Sequence, residues 1–365
     1  MLARRAKLIV RSLLLAIVVL SAAARSSEAD FTTIINVPPD TMPASIGSHT
    51  QVNVFDGGML FDGFEAGAAD GSSEDIEVNI YGGTVSRLGQ PELTAYPGGV
   101  INMHRPLDLG DSISVLALAY GGTWNMMTGF MPGASANYGG EFNFSGGTIW
   151  HMSASGGSVV NQTGGEITSD GGGMRGEGTV WNLYDGSIGN RFDIGLEDGD
   201  GAVMNMYGGQ IGLRFYVGSG ATMNIFGGTI SLGPDTSSDY DFIAGTDSTV
   251  NVHGGFFRGN VLVTDGSNFN LFVKELSLDG VPFPLIPGVQ TTIPSSESVL
   301  LEAILADGTF LDLRLGRGQP GLDDFQDGAI LTATLVPEPS AWVLALLAAL
   351  GVIGLRNRYR ASRSS

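Results

Sequence analysis

Arg191, Asp193 and Arg214 stand in the segments NRFD and LRFY, at matching places in two neighbouring stretches of the chain. A carboxylate beside guanidinium groups is a set that polysaccharide chemistry can use. Glycoside hydrolysis needs two carboxylates about one bond, and lysis needs a base, often with Ca2+ and an Arg or Lys. The plainer reading of the same residues is a solvated, charged edge. The four histidines, His49, His104, His151 and His253, are scattered along the chain. No G-x-S-x-G elbow and no phosphate loop occurs. Asp198-Gly199-Asp200, and Asp323 and Asp324 with Asp327, would suit the hard oxygen coordination of Ca2+, but neither complete ligand loop for that ion is present. The expectation is no cofactor and no metal site, with Ca2+ as the one ion those turns could hold.

Whatever those residues do, a repeat must position them. Eleven asparagines head copies of one pattern: Asn53, Asn79, Asn102, Asn125, Asn143, Asn161, Asn182, Asn205, Asn224, Asn251 and Asn270. The 217 residues from first to last span ten intervals, a mean near 22. An apolar residue precedes every one of these asparagines, and an apolar residue follows all but one, where Gln162 stands. Period-two alternation points those neighbours inward and the asparagine outward. Glycine holds the fourth place after the asparagine except at Pro106 and Lys274, and supplies a corner with positive φ. Two places on, an apolar residue returns, as at Val85, Ile149, Ile167, Ile188, Ile211 and Ile230, with Asp108 the misfit. A further short strand follows in FEAG, FDIG, FYVG and FIAG. INV at 35–37 reads as a degenerate twelfth copy that caps the array.

Strand, corner, strand and turn at this period predict an all-β chain: a parallel β-helix, or β-solenoid, of about eleven coils over residues 30–275. A β-propeller or sandwich is the alternative and fits less well, since propeller blades repeat at about 40 residues and two periods would have to make one blade. Residues 276–335 lose the period and predict a small C-terminal β cap, with a hairpin turn at ADG, 306–308. Stacked coils put the asparagines into one amide ladder. The place two residues after each asparagine also faces outward, and it brings Tyr184, Tyr207 and Phe226 together as a candidate binding stripe for sugar rings. The plainer reading is ring stacking along the sheet.

The chain carries a net charge of −19 and no cysteine. Residues 30–335 hold nine basic against 35 acidic residues, a net of −26, which argues against nucleic acid as a partner. Residues 1–29 have a basic leader (Arg4, Arg5, Lys7, Arg11), the apolar LLLAIVVL and small residues at AAA or SEA, the layout of a secretory signal peptide. Residues 336–365 hold a Pro-Glu-Pro triplet, an apolar run from Ala341 to Leu355, then Arg356, Arg358, Arg360 and Arg363. As a helix that run rises only about 22 Å, short of the hydrocarbon core of about 30 Å.

Val336, Pro337, Glu338 and Pro339, the hydrophobic helix and the Arg-rich end resemble a PEP-CTERM sorting signal over about thirty residues. The resemblance implies export in a Gram-negative bacterium, transient membrane insertion of the tail and handling by an exosortase-type protease. It also implies association with extracellular polysaccharide. The expectation is therefore a non-enzymatic secreted or surface-associated scaffold or adhesin. A polysaccharide lyase or glycoside hydrolase on a β-helix is the alternative.

Overall fold

Alternating burial along each asparagine strand sets the architecture. In Val203–Met206, Met204 and Met206 are fully buried while Val203 and Asn205 are half-buried, and the same alternation recurs in Val180–Leu183, Thr222–Ile225 and Thr249–Val252. One such strand covers only one face of its apolar residues, so the next copy must lie on it. In this computed structural model the described residues are 31–337, apart from 44–45, 62, 86–91, 109–115, 169–171, 196–200, 213, 231–240, 295–298, 317–322 and 327. The signal-peptide reading, Glu338, Pro339 and the rest of the sorting tail, and Asp198, Gly199, Asp200 and Asp327 lie outside them. The described residues are all β, with parallel strands stacked as a β-solenoid of about 10 turns.

The chain forms two compact units, 1–148 and 149–365. In the first, strands Thr33–Val37, Thr50–Val54, Ile76–Ile80, Gly99–Met103, Thr123–Met126 and Glu141–Phe144 pair in parallel. Their register places Asn36 on Asn53, Asn53 on Asn79, Asn79 on Asn102, Asn102 on Asn125 and Asn125 on Asn143. INV is thus a full rung of the stack. In the second unit, Val159–Gln162, Val180–Leu183, Val203–Met206, Thr222–Ile225, Thr249–Val252 and the start of Asn268–Leu278 pair likewise. There Asn161, Asn182, Asn205, Asn224, Asn251 and Asn270 fall in line.

Each turn adds two further strands. After the corner come short strands such as Ser187–Ile188, Gln210–Ile211 and Thr229–Ile230, whose isoleucines are buried and in register. Then come the FxxG strands, whose Phe192, Phe215 and Phe242 stack at 6.0 and 5.9 Å inside the second unit. Burying one such ring contributes about 1.5–3 kcal/mol. Gln162, the polar residue at an inward place, is fully buried and donates from Nε2 to the Ser187 carbonyl at 3.2 Å. At the other misfit, Asp108 keeps its backbone in the stack: its N–H donates to the Gly83 carbonyl and its own carbonyl accepts from Val85.

Nine glycines at the fourth place after the asparagine all take positive φ, from 74° at Gly165 to 101° at Gly83. Crowding from the neighbouring turn adds to that demand: a Cβ on Gly186 would lie 2.5 Å from the Gly165 carbonyl oxygen.

Residues past 275 both leave the stack and rejoin it. Val299–Leu305 and Phe310–Gly316 form an antiparallel hairpin through the ADG turn, and the first of these pairs with the end of Asn268–Leu278. Ile330–Leu335 then lies parallel on Asn268–Leu278, with Thr332 in register with Asn270, and Gln290–Thr292 pairs antiparallel against it. The segment expected only as a cap therefore supplies one more rung before it ends the sheet.

Gly186→Ala and Gly139→Ala separate the two demands made on glycine. Both positions have positive φ, at 93° and 77°, but a Cβ on Gly139 meets nothing within 4 Å. Left-handed backbone alone costs an alanine about 1–2 kcal/mol. Gly139→Ala should lose that much, and Gly186→Ala clearly more, in urea midpoints at constant m-value.

Candidate binding face

The outward face of the asparagine strand carries three columns of side chains, at the asparagine and two residues either side of it. The central column is hydrogen-bonded along its length. In the first unit Asn53, Asn79, Asn102, Asn125 and Asn143 each donate from Nδ2 to Oδ1 of the asparagine one turn earlier, at 2.6–3.2 Å. In the second unit Asn182, Asn205, Asn224, Asn251 and Asn270 do the same at 2.8–3.0 Å. Both ladders run in one direction, with the amide N–H toward the N-terminal turn. The Oδ1 left over at Asn270 accepts from Thr332 Oγ1 at 2.8 Å and Gln290 Nε2 at 3.0 Å. The C-terminal segment thus ends the ladder with donors.

The column two residues on is aromatic. Tyr184, Tyr207 and Phe226 stack at 5.0 and 5.1 Å with planes within 9° of parallel. The column continues through His253, 4.8 Å from Phe226, to Phe272, 3.8 Å from His253. Rings this close and this parallel overlap face on face, so the stripe read from the sequence turns its faces onto one another and its edges outward. Burial, with the neighbouring Tyr207 phenol second, pushes the Tyr184 pKa above its ordinary value. Burial alone lowers that of His253. The third column of this unit is Val159, Val180, Val203, Thr222, Thr249 and Asn268, so the whole face is free of Asp, Glu, Lys and Arg.

The first unit builds a walled version. Gln51, Glu77, Asn53, Asn79, Asn102, Phe55, Tyr81, His104 and Met127 line one open trough. Short asparagines form its floor, and the longer side chains on either side form its walls. Gln51 Nε2 donates to Glu77 Oε1 at 2.8 Å, and Asn79 Nδ2 donates to the same oxygen at 2.6 Å. Phe55, Tyr81 and His104 stack at 5.5 and 4.7 Å to make the opposite wall. The residues of this wall stood in the aligned repeat and were legible there. A second aromatic row in the same unit, Tyr96, Tyr120 and Tyr138, was not. These rings lie five or six residues before their asparagines, in turns of unequal length.

The residues with catalytic colour are placed less tightly. Arg191 and Arg214 occupy equivalent corners with φ of 56° and 57°. Asp193 lies in register with Gly173 and Tyr216 on the outer face of the third strand, and burial pushes its pKa up. His49 pairs with Asp75 at 3.1 Å, with both side chains about half exposed. His151 lies in the strand Thr148–Ser155. The four histidines do not converge, and among the described residues no group of three or more His, Asp or Glu side chains could hold a metal ion. Pro337 and Val336 follow the last strand, with the Val336 N–H donating to the Val273 carbonyl. Compared with known proteins, the chain matches no family model, no curated protein and no solved structure.

Asn205→Ala removes two ladder bonds and leaves two amide groups to water. The expected loss is about 1–3 kcal/mol; Asn36→Ala, at the start of its ladder, should lose less, both read by chemical denaturation. His253 titrates lower in the fold than in the unfolded chain, whose pKa is about 6.5. Its contribution is complete above that value and is lost as pH falls through it toward the folded pKa. Melting temperatures between pH 8 and 5 should therefore fall further for the parent than for His253→Phe.

Proposed function

We propose that the protein is a non-enzymatic, exported β-solenoid scaffold or adhesin of a bacterial surface or extracellular matrix, associated with polysaccharide. The observation that carries this reading is the outward face of the asparagine strand, which presents an asparagine amide rung after rung within each unit. A ligand that repeats along its own length can meet many such groups at once, and weak contacts then add. Strong negative charge in the body suits a soluble exported chain and disfavours nucleic acid. Export through the signal peptide, and sorting by an exosortase-type protease acting near Val336, Pro337, Glu338 and Pro339, complete the proposal. It includes transient membrane insertion of the tail and no cofactor.

Asp193 supports a second reading, the polysaccharide lyase or glycoside hydrolase. Burial pushes the Asp193 pKa up, the direction a general acid needs, and Arg191 and Arg214 occupy equivalent corners of its own turn and the next.

One assay addresses both. The full chain is incubated with a panel of neutral and acidic polysaccharides, with and without Ca2+, then sedimented and analysed for soluble oligosaccharides. Co-sedimentation without release is expected. Release that disappears in Asp193→Asn would establish the enzyme and remove the scaffold reading.

A further inference from the structure

We infer that the trough of the first unit is a binding site for one extended, neutral, β-linked glycan chain lying along the stack. This rests on the polysaccharide-associated reading above and assigns it a place and a ligand class.

The hydrogen-bond inventory is uneven along the floor. Asn79 is saturated: its Nδ2 donates to Asn53 and Glu77, and its Oδ1 accepts from Asn102 and lies 3.4 Å from His104 Nε2. Asn53 and Asn102 spend one N–H and one lone pair each on the ladder. An amide has two of each, so among the described residues each keeps a donor and an acceptor for a ligand. Glu77 uses only Oε1 toward protein, and Oε2 is left to accept. Within the trough the two unspent amides, Asn53 and Asn102, thus stand two rungs apart, about 9.6 Å at 4.8 Å per strand, with Glu77 Oε2 on the rung between them. An extended β-1,4-linked chain, whose residues alternate in facing, brings equivalent hydroxyls back at about that interval.

The walls fit the same ligand. Stacking turns the edges of Phe55, Tyr81 and His104 into the trough. An aromatic edge is the positive part of the ring quadrupole and accepts a hydroxyl oxygen rather than another ring face. Met127, 41% exposed, extends that wall by one rung with a side chain that adapts its shape. Glu77 and the acidic balance of the chain disfavour an anionic polymer. A peptide would seek an unpaired strand edge or alternate side-chain pockets. The strands beneath the trough are paired on both sides, so they offer a peptide no free edge.

The test measures binding of the full chain by isothermal titration with cellohexaose, maltohexaose, a galacturonate hexamer and an extended Ser-Val heptapeptide. Cellohexaose should bind at least tenfold more tightly than the other three. Gln51→Trp and Met127→Trp, each filling one end of the trough from a surface position, should weaken it at least tenfold with unchanged circular dichroism. Phe310→Ala, at an exposed place in the C-terminal hairpin, should change it less than twofold. Equal or tighter binding of maltohexaose, galacturonate or peptide overturns the assignment, as does undiminished cellohexaose binding in a folded trough variant. If both folded variants bind like the parent while the protein still co-sediments with polysaccharide, the trough is wrong and the scaffold reading survives. If the parent holds neither cellohexaose nor any polysaccharide, both fall.

Discussion

Parallel pairing in exact register, one turn of chain upon the next, is the constraint from which the rest of the structure follows. With strands about 4.8 Å apart, whatever stands at one place in a turn touches its counterpart in the next. Like must therefore tolerate like. Methionine, phenylalanine and isoleucine do so by packing, aromatic rings by overlapping, and asparagine by donating with one end of its amide while accepting with the other. A column of carboxylates could not, because each would have to stand beside a like charge away from water. The lone acid on the trough wall, Glu77, is held by donors from Gln51 and Asn79.

Much of this could be read from the residues because one rule acts at every turn. The asparagine column, the glycine corners and the inward apolar neighbours each needed only alignment of the copies, and Asn36 in INV obeyed the same rule as the better copies. Gln162 looked like a defect in the pattern; its bond to the carbonyl of Ser187, in a short strand of the next turn 25 residues away, is a side-chain contact that periodicity does not reveal. The rejoining strand Ile330–Leu335 was hidden for a related reason. It follows a long antiparallel excursion and carries Thr332 where the pattern has asparagine, so neither spacing nor residue type marked it.

The candidate aromatic stripe was legible in position but not in pose. Alternation places Tyr184, Tyr207 and Phe226 outward, and they are on the outward face. It says nothing of side-chain torsion, and ring-on-ring overlap proved the better use of those faces. That changes the chemistry on offer, from flat apolar plates to a row of ring edges beside a row of amides. The trough arises from a difference in side-chain length: Gln51 and Glu77 stand where the second unit has valine, threonine and, at its last copy, Asn268. Asp193, by contrast, carries a burial-induced shift that no local motif announces.

The termination of the amide row by Thr332 and Gln290 has a consequence for descent. These donors meet only the last carbonyl oxygen and are blind to how many turns lie behind it. Duplication or loss of a whole turn leaves both ends of the row chemically as they were. Length is thus a quantity this architecture can vary by whole units, while the closing segment serves a longer or a shorter array equally well.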